Sequence, residues 1–191
     1  VVPLAQMSKN LQLATIAIED DKFYQHSGVR FTSVIRAIIA DIQHGSFVQG
    51  GSTITQQVVK NTILTGKKSP IRKVQEWILA WKLEGKYTKD EILEFYLNVT
   101  PYGGTLYGAE AASRAFFGKS ASDLSIAESA YLAALPQAPT FYSPYGNNRE
   151  ALDERKNRVL ERMHALGYID DASYESAKRE AVTFSRQQNG G

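Results

Sequence analysis

The 191-residue chain reads as an all-α protein. Three observations carry this. Apolar residues recur at spacings of three and four. Helix-start signals repeat, as in Thr88-Lys89-Asp90-Glu91 and Ser125-Ile126-Ala127-Glu128, where a hydroxyl residue is followed three positions later by a glutamate. No alternating strand of useful length appears, and neither does an internal repeat or a strong domain boundary.

Taken in order, residues 8–21 predict a helix on Leu11, Leu13, Ile16, Ala17 and Ile18, ending in Glu19-Asp20-Asp21. Thr32 caps a second helix over 33–44, closed by Gly45, with Val34, Ile35, Ile38, Ile39 and Ile42 as a broad apolar stripe. Gly50-Gly51 then lead into a third helix, with Ser52 as its N-cap. Ser69 caps a fourth, Pro70 takes its first position, and Gly85 ends it. The Thr88 box opens a helix over 89–98, and Pro101-Tyr102-Gly103-Gly104 is a turn-rich connection. Residues 106–117 form a helix stopped by Gly118, and the Ser125 box opens another that ends before Pro136. A Pro-rich aromatic loop over 136–148 precedes a charged helix over 149–165, and a short helix follows Asp170. The ordered domain is expected over 1–185, with 186–191 as a disordered tail.

Bulk composition narrows the chemistry. Hydrophobic content of 43% is ordinary for a globular domain, and 22 basic residues against 20 acidic ones leave a net charge of +2. That balance gives no support to a nucleic-acid partner. With no cysteine there is neither a disulfide framework nor a thiolate metal site. No apolar run reaches the roughly 18–20 residues that span a bilayer. The abrupt start at Val1-Val2-Pro3 leaves room for a removed anchor or signal.

Candidate site residues fall in three clusters. Glu19 follows an apolar run at a helix C-terminus, where the macrodipole disfavours a negative charge. Burial there would raise its pKa and suit it to general acid–base work, against the plainer alternative of a surface acid at a frayed end. The Gly-Gly helix offers unpaired N–H groups at its start, and Thr53, Gln56, Gln57 and Lys60 fall on one face at i, i+3, i+4 and i+7. Such a face could cradle phosphate and sugar oxygens, or be simply a solvated side. It is not a P-loop. Arg72, Lys73 and Glu76 share one turn, as a phosphate-binding pair beside a second carboxylate or as a weak Arg72–Glu76 surface pair. His26 has no second His or Cys at ligand spacing, which favours a hydrogen-bonded structural role.

These stretches carry a resemblance. Ile18 to Gly28 resembles the E-D-x-x-F-x-x-H-x-G motif of the peptidoglycan glycosyltransferases, glycosyltransferase family 51, the family of the transglycosylase domains of class A penicillin-binding proteins. Gly50 to Asn61 is similar to its G-G-S-T-I-T-Q-Q-x-x-K-N motif without a break, and Arg72 to Glu76 to its R-K-x-x-E motif. Tyr107 to Ala112 with Phe117-Gly118-Lys119, and Arg155 to Met163, resemble the fourth and fifth motifs. Phe116 stands where many members have a tyrosine.

The resemblance implies a lysozyme-like globular lobe plus a smaller membrane-facing jaw, within about residues 30–50. It implies polymerisation of lipid II into β-1,4-linked glycan by inverting displacement, with release of undecaprenyl pyrophosphate. Glu19 would be the general base. Lys60, Arg72 and Lys73 would neutralise the diphosphate, and Ser52, Thr53, Gln56 and Gln57 would place the donor. Asp20, His26, Asn61 and Arg155 are carried over as further substrate-binding positions. Glu76 would orient the cations or hold a divalent ion, Mg²⁺ or Mn²⁺; no organic cofactor is expected. The expected partners are lipid II, the growing lipid-linked strand, the outer face of the cytoplasmic membrane, and a transpeptidase domain on the full-length chain. The Ile-rich stripe over 33–44 is read either as core or as facing the bilayer that the lipid tail implies, and Lys67-Lys68 as meeting either lipid headgroups or the pyrophosphate. Two rivals share parts of this pattern: a lytic muramidase, which would not need the cations, and a non-enzymatic glycan- or lipid-binding module.

Overall fold

The computed structural model describes residues 1–30, 32–36, 39 and 51–185. It is predominantly α-helical, as the sequence predicts. The chain forms two compact units, one from Val1–Ile18 with Leu97–Gly191 and the other Glu19–Tyr96.

In order, α1 spans Lys9–Glu19, and α2 is described at residues 32–36 and 39. Next come α3 (Ile54–Thr62), α4 (Pro70–Lys86) and α5 (Lys89–Val99). A small antiparallel hairpin, β1 (Pro101–Gly103) and β2 (Leu106–Tyr107), precedes α6 (Ala109–Phe117). The remaining helices are α7 (Ile126–Ala134), α8 (Arg149–Ala165) and α9 (Asp171–Arg179).

Within the first unit, eight of the nine residues of α7 are buried, because it is apolar or small almost all round. It packs on the Leu152, Val159, Leu160 and Met163 side of α8. Within the second, α3 packs on α4, and Phe23, Ile54, Val58, Val59, Ala80, Ile92, Leu93 and Tyr96 supply the core.

Four local expectations change. The N-cap of α3 is Thr53, not Ser52. Only Thr53 has a residue three positions on, Gln56, whose side chain can return a bond to the cap's own N–H, and the closed box outweighs a lone serine cap. α4 runs through Gly85 to Lys86, since a mid-helix glycine costs only about 1 kcal/mol. The turn at 101–104 belongs to the hairpin, which takes Leu106 and Tyr107 from the predicted helix, so that α6 starts at Ala109. Thr32 lies inside α2 and does not cap it: Arg30 O accepts the N–H groups of Ser33 and Val34. Most of the predicted 33–44 helix, most of the jaw expected at about 30–50, and the 186–191 tail lie outside the described residues.

Candidate active site

The second unit brings three of the sequence motifs together through hydrogen bonds that begin at the end of α1. Glu19 is the last residue of that helix and is half-buried. Gln57, one turn into α3, donates from Nε2 to Glu19 Oε2 at 3.1 Å and to Ser52 O at 3.4 Å. The buried Tyr96 hydroxyl lies 3.5 Å from Gln57 Oε1, on the other side of that amide. The first and second motifs thus meet as carboxylate and amide.

Asp20 does different work. Its side chain is closed to solvent, and it accepts from His26 Nε2 at 2.6 Å, Arg30 Nη2 at 3.0 Å and the backbone N–H of Ile54 at 3.1 Å. His26 Nδ1 accepts the N–H of Gly28 at 2.9 Å, so Nε2 carries the proton and the ring is the neutral tautomer. The start of α3 is therefore met by an internal carboxylate. Thr53 and Gln56 are likewise committed: both are buried, bonded to each other, and Thr53 Oγ1 donates to Gly28 O at 2.6 Å.

Gly28 has no room for a side chain. Its φ is +96°, and a Cβ would lie 2.9 Å from Glu84 Cγ and 3.0 Å from Ala80 O. Below it, Glu84 Oε1 accepts from Thr55 Oγ1 at 2.7 Å and Lys89 Nζ at 2.6 Å, and Lys89 also donates to His26 O at 2.7 Å. Sequence reasoning missed Arg30, Glu84 and Lys89 as supports. No spacing signals them, because their partners lie on other elements.

The cations divide. Lys73 Nζ donates to Ser52 Oγ at 2.8 Å and Glu76 Oε1 at 2.7 Å, tying the second motif to the third. Glu76 is 5% exposed and pairs with Lys73 instead of Arg72. Arg72 turns to the loop before α4, donating to Gly66 O and, at 3.5 Å, to Leu64 O. Lys60 is an exposed residue by surface area, yet protein crowded round its ammonium lowers its pKa below that of an ordinary lysine. Glu76 opposes this shift, Lys73 and Lys68 add to it, and Glu19 opposes it weakly. Asn61 is exposed beside Lys60. Arg155 belongs to the other unit, where it donates to Ala134 O at 2.9 Å and lies over the Tyr142 ring at 5.6 Å.

No group of three or more His, Asp or Glu side chains that could hold a metal occurs among the described residues. A single carboxylate already paired with an ammonium does not make a resident site for Mg²⁺ or Mn²⁺.

A second surface lies on α4. Ile71, Val74, Ile78 and Trp81 are exposed by 73, 46, 50 and 66%, and their spacing puts them on one face. The exposed charges of α4 are Lys82 and Lys86; its two acids are turned into contacts with Lys73 and with Thr55 and Lys89. No described helix is long and apolar enough to cross a membrane.

Residues 1–164 match the family model described as Transglycosylase. The chain is similar to penicillin-binding protein 1A of Pseudomonas aeruginosa, at 42% identity over 184 residues covering 96% of this chain and 22% of the relative. Similarity to penicillin-binding protein 1F of Bacillus subtilis is 46% over 182 residues, covering 95% and 24%. The chain spans about a quarter of the length of the curated relatives it matches. The fold is similar to part of the crystal structure of penicillin-binding protein 1A from Haemophilus influenzae, with a TM-score of 0.59 and 25% identity over 97% of this chain and 18% of that one.

Proposed function

This chain belongs to the transglycosylase family, and from that membership we propose that it polymerises lipid II into β-1,4-linked glycan strands at the outer face of the cytoplasmic membrane. The observation that carries the reading is a hydrogen-bonded path: Gln57 donates to Glu19 Oε2 and to Ser52 O, and Ser52 Oγ accepts from Lys73, which pairs with Glu76. This path supports assigning a base and a cation to one site. The acceptor 4-hydroxyl gives its proton to the Glu19 carboxylate as its oxygen attacks the donor's anomeric carbon. The bond from that carbon to the diphosphate breaks, and the electron pair leaves on the diphosphate. Attack from the opposite face turns an α-linked donor into a β-linked product without a covalent enzyme intermediate.

Gln57 holds one oxygen of Glu19 and leaves the carboxylate oriented. Lys60 and Lys73 stabilise the charge that develops on the leaving diphosphate. Glu76 and Ser52 fix Lys73, so its ammonium is positioned before the substrate arrives. No step is routed through a metal. Thr53, Gln56, Asp20 and His26 build the framework beneath these groups.

The lipid-linked substrate needs a membrane surface, and the Ile71–Trp81 face of α4, with its lysines, has the character of an interfacial helix. A transpeptidase domain on a longer chain is the partner that the penicillin-binding relatives suggest. A muramidase reading is weaker, because a sugar alcohol leaving group gives Lys60 and Lys73 nothing to neutralise.

The test is labelled lipid II incubated with wild type and with Glu19→Gln. Muramidase-sensitive polymer from the wild type alone is expected. Equal polymer from both would remove Glu19 as the base, and glycan cleavage by the wild type would favour the muramidase.

A further inference from the structure

Two charges flank the turn between α4 and α5, each at the end of its helix that disfavours it. Glu84 lies in the last turn of α4, where the macrodipole opposes an acid, and Lys89 is the first residue of α5, where it opposes a cation. They pair across the turn at 2.6 Å, with side chains only 10% and 20% exposed. Both groups also reach outward. Lys89 Nζ donates to His26 O at 2.7 Å and lies 4.7 Å from the centre of the buried Phe23 ring. Glu84 Oε1 accepts a second bond, from Thr55 Oγ1, at 2.7 Å.

These bonds end on the start of α3. Three consecutive residues there are held by three different segments. Thr53 Oγ1 donates to Gly28 O at 2.6 Å, Ile54 N to Asp20 Oδ2 at 3.1 Å, and Thr55 Oγ1 to Glu84. The two hydroxyls leave the helix from its side, while the first N–H groups point along its axis. Together they fix the rotation of α3 about that axis as well as its position. Two of the three anchors meet at Lys89, which bonds Glu84 directly and holds the 26–28 loop by the carbonyl of His26. Further along α3 come Gln57, bonded to Glu19 at 3.1 Å, and Lys60. A side-chain end about 6 Å from a helix axis moves about 1 Å when the helix turns by about 10°. A misplacement of about that size can cost about a hundredfold in rate.

We propose that Lys89 is a positioning residue: through Glu84 and the 26–28 loop it sets the rotation of α3, and with it the placement of Gln57 and Lys60. The effect on polymerisation rests on the proposed polymerase reading. The placement of α3 does not.

Three variants of the whole chain carry the test. Lys89→Met removes the ammonium, Thr55→Val removes the hydroxyl that ties α3 to Glu84, and Thr55→Ser keeps that hydroxyl. The chain is labelled with ε-¹³C-lysine, and the Lys60 resonance, assigned by its loss in Lys60→Arg, is titrated in each folded variant. In wild type Lys60 should titrate below an ordinary lysine, because burial lowers its pKa. In Lys89→Met and Thr55→Val its midpoint should rise towards the ordinary value, and in Thr55→Ser it should stay where it is in wild type. Lipid II polymerisation is measured alongside. In the first two variants kcat should fall at least about tenfold while KM changes less than about twofold. A lower melting temperature with an unchanged Lys60 titration in both is what a merely structural role predicts, and it would overturn the inference. If Lys89→Met does not fold, Thr55→Val decides by the same criterion. Should wild type give no polymer, the polymerase reading fails by itself, and the Lys60 titration still decides whether Lys89 positions α3.

Discussion

The Asp20 carboxylate accepts the backbone N–H of Ile54 at 3.1 Å, so the positive end of α3 already has its anion. A helix N-terminus attracts negative charge wherever it comes from. Here the protein supplies it from the motif at the end of α1 and holds it with His26 and Arg30. In the proposed reaction the diphosphate is left to side-chain ammonium groups, and Asp20 becomes a residue on which the unit's stability depends.

Asp20→Ala should therefore unfold the chain more easily. It strands a buried backbone donor, a guanidinium and an imidazole, at about 3–5 kcal/mol. Thermal melting should fall by roughly 6–20 °C. A variant that melts like the wild type but is inactive would put Asp20 on the substrate instead.

Adjacent Ser52 and Thr53 should separate stability from activity. Thr53→Val removes a cap worth about 1 kcal/mol and leaves Gly28 O without its donor, a further 1–3 kcal/mol. Ser52→Ala should change stability by less than about 0.5 kcal/mol. It should nonetheless slow polymerisation, because Lys73 loses one of its two partners. Urea denaturation and initial rates distinguish the two, and equal destabilisation would reject the distinction.

Lys60 gives a pH prediction whose sign is fixed. Burial lowers its pKa, so if its charge stabilises the diphosphate, the rate should decline on the alkaline side at a lower pH than for an ordinary lysine. Glu76 raises that pKa and Lys68 lowers it. Glu76→Gln should move the alkaline limb to lower pH, and Lys68→Gln should move it higher. Movement in the same direction in both variants would exclude Lys60 as the titrating group.

The α4 face should bind membrane without contributing to the fold. Ile78→Glu with Trp81→Glu should leave the melting temperature nearly unchanged, since both side chains are exposed. Co-sedimentation with phosphatidylglycerol vesicles should weaken at least tenfold, as burying one such side chain is worth about 1.5–3 kcal/mol. Undiminished vesicle binding would move the membrane contact off this helix.

Gly28→Ala should be costly for steric reasons alone. A side chain at φ +96° costs about 1–3 kcal/mol before the close approach to Glu84 and Ala80 is counted. A fully stable variant would show that the backbone here relaxes freely.

Much of this was legible along the chain. Helix class, the boxes at Thr88 and Ser125, the Ser69-Pro70 start and the stops at Gly118 and Gly167 are local, because a cap and its partner lie three or four residues apart. The motif residues Glu19, Gln57, Lys60, Lys73 and Glu76 were legible as chemistry by the same nearness. Tertiary structure alone decided which of them stay available. Asp20, Thr53 and Gln56 read as ligand groups in the sequence, yet burial and partners from 3 to 34 positions away commit them to the framework. Lys73, and not Arg72, pairs with Glu76, and it also donates to Ser52, 21 residues earlier, while Arg72 turns to the carbonyls of Leu64 and Gly66. A sequence states which groups a segment carries; desolvation and competition among partners, set only when distant segments meet, determine which of those groups face a substrate.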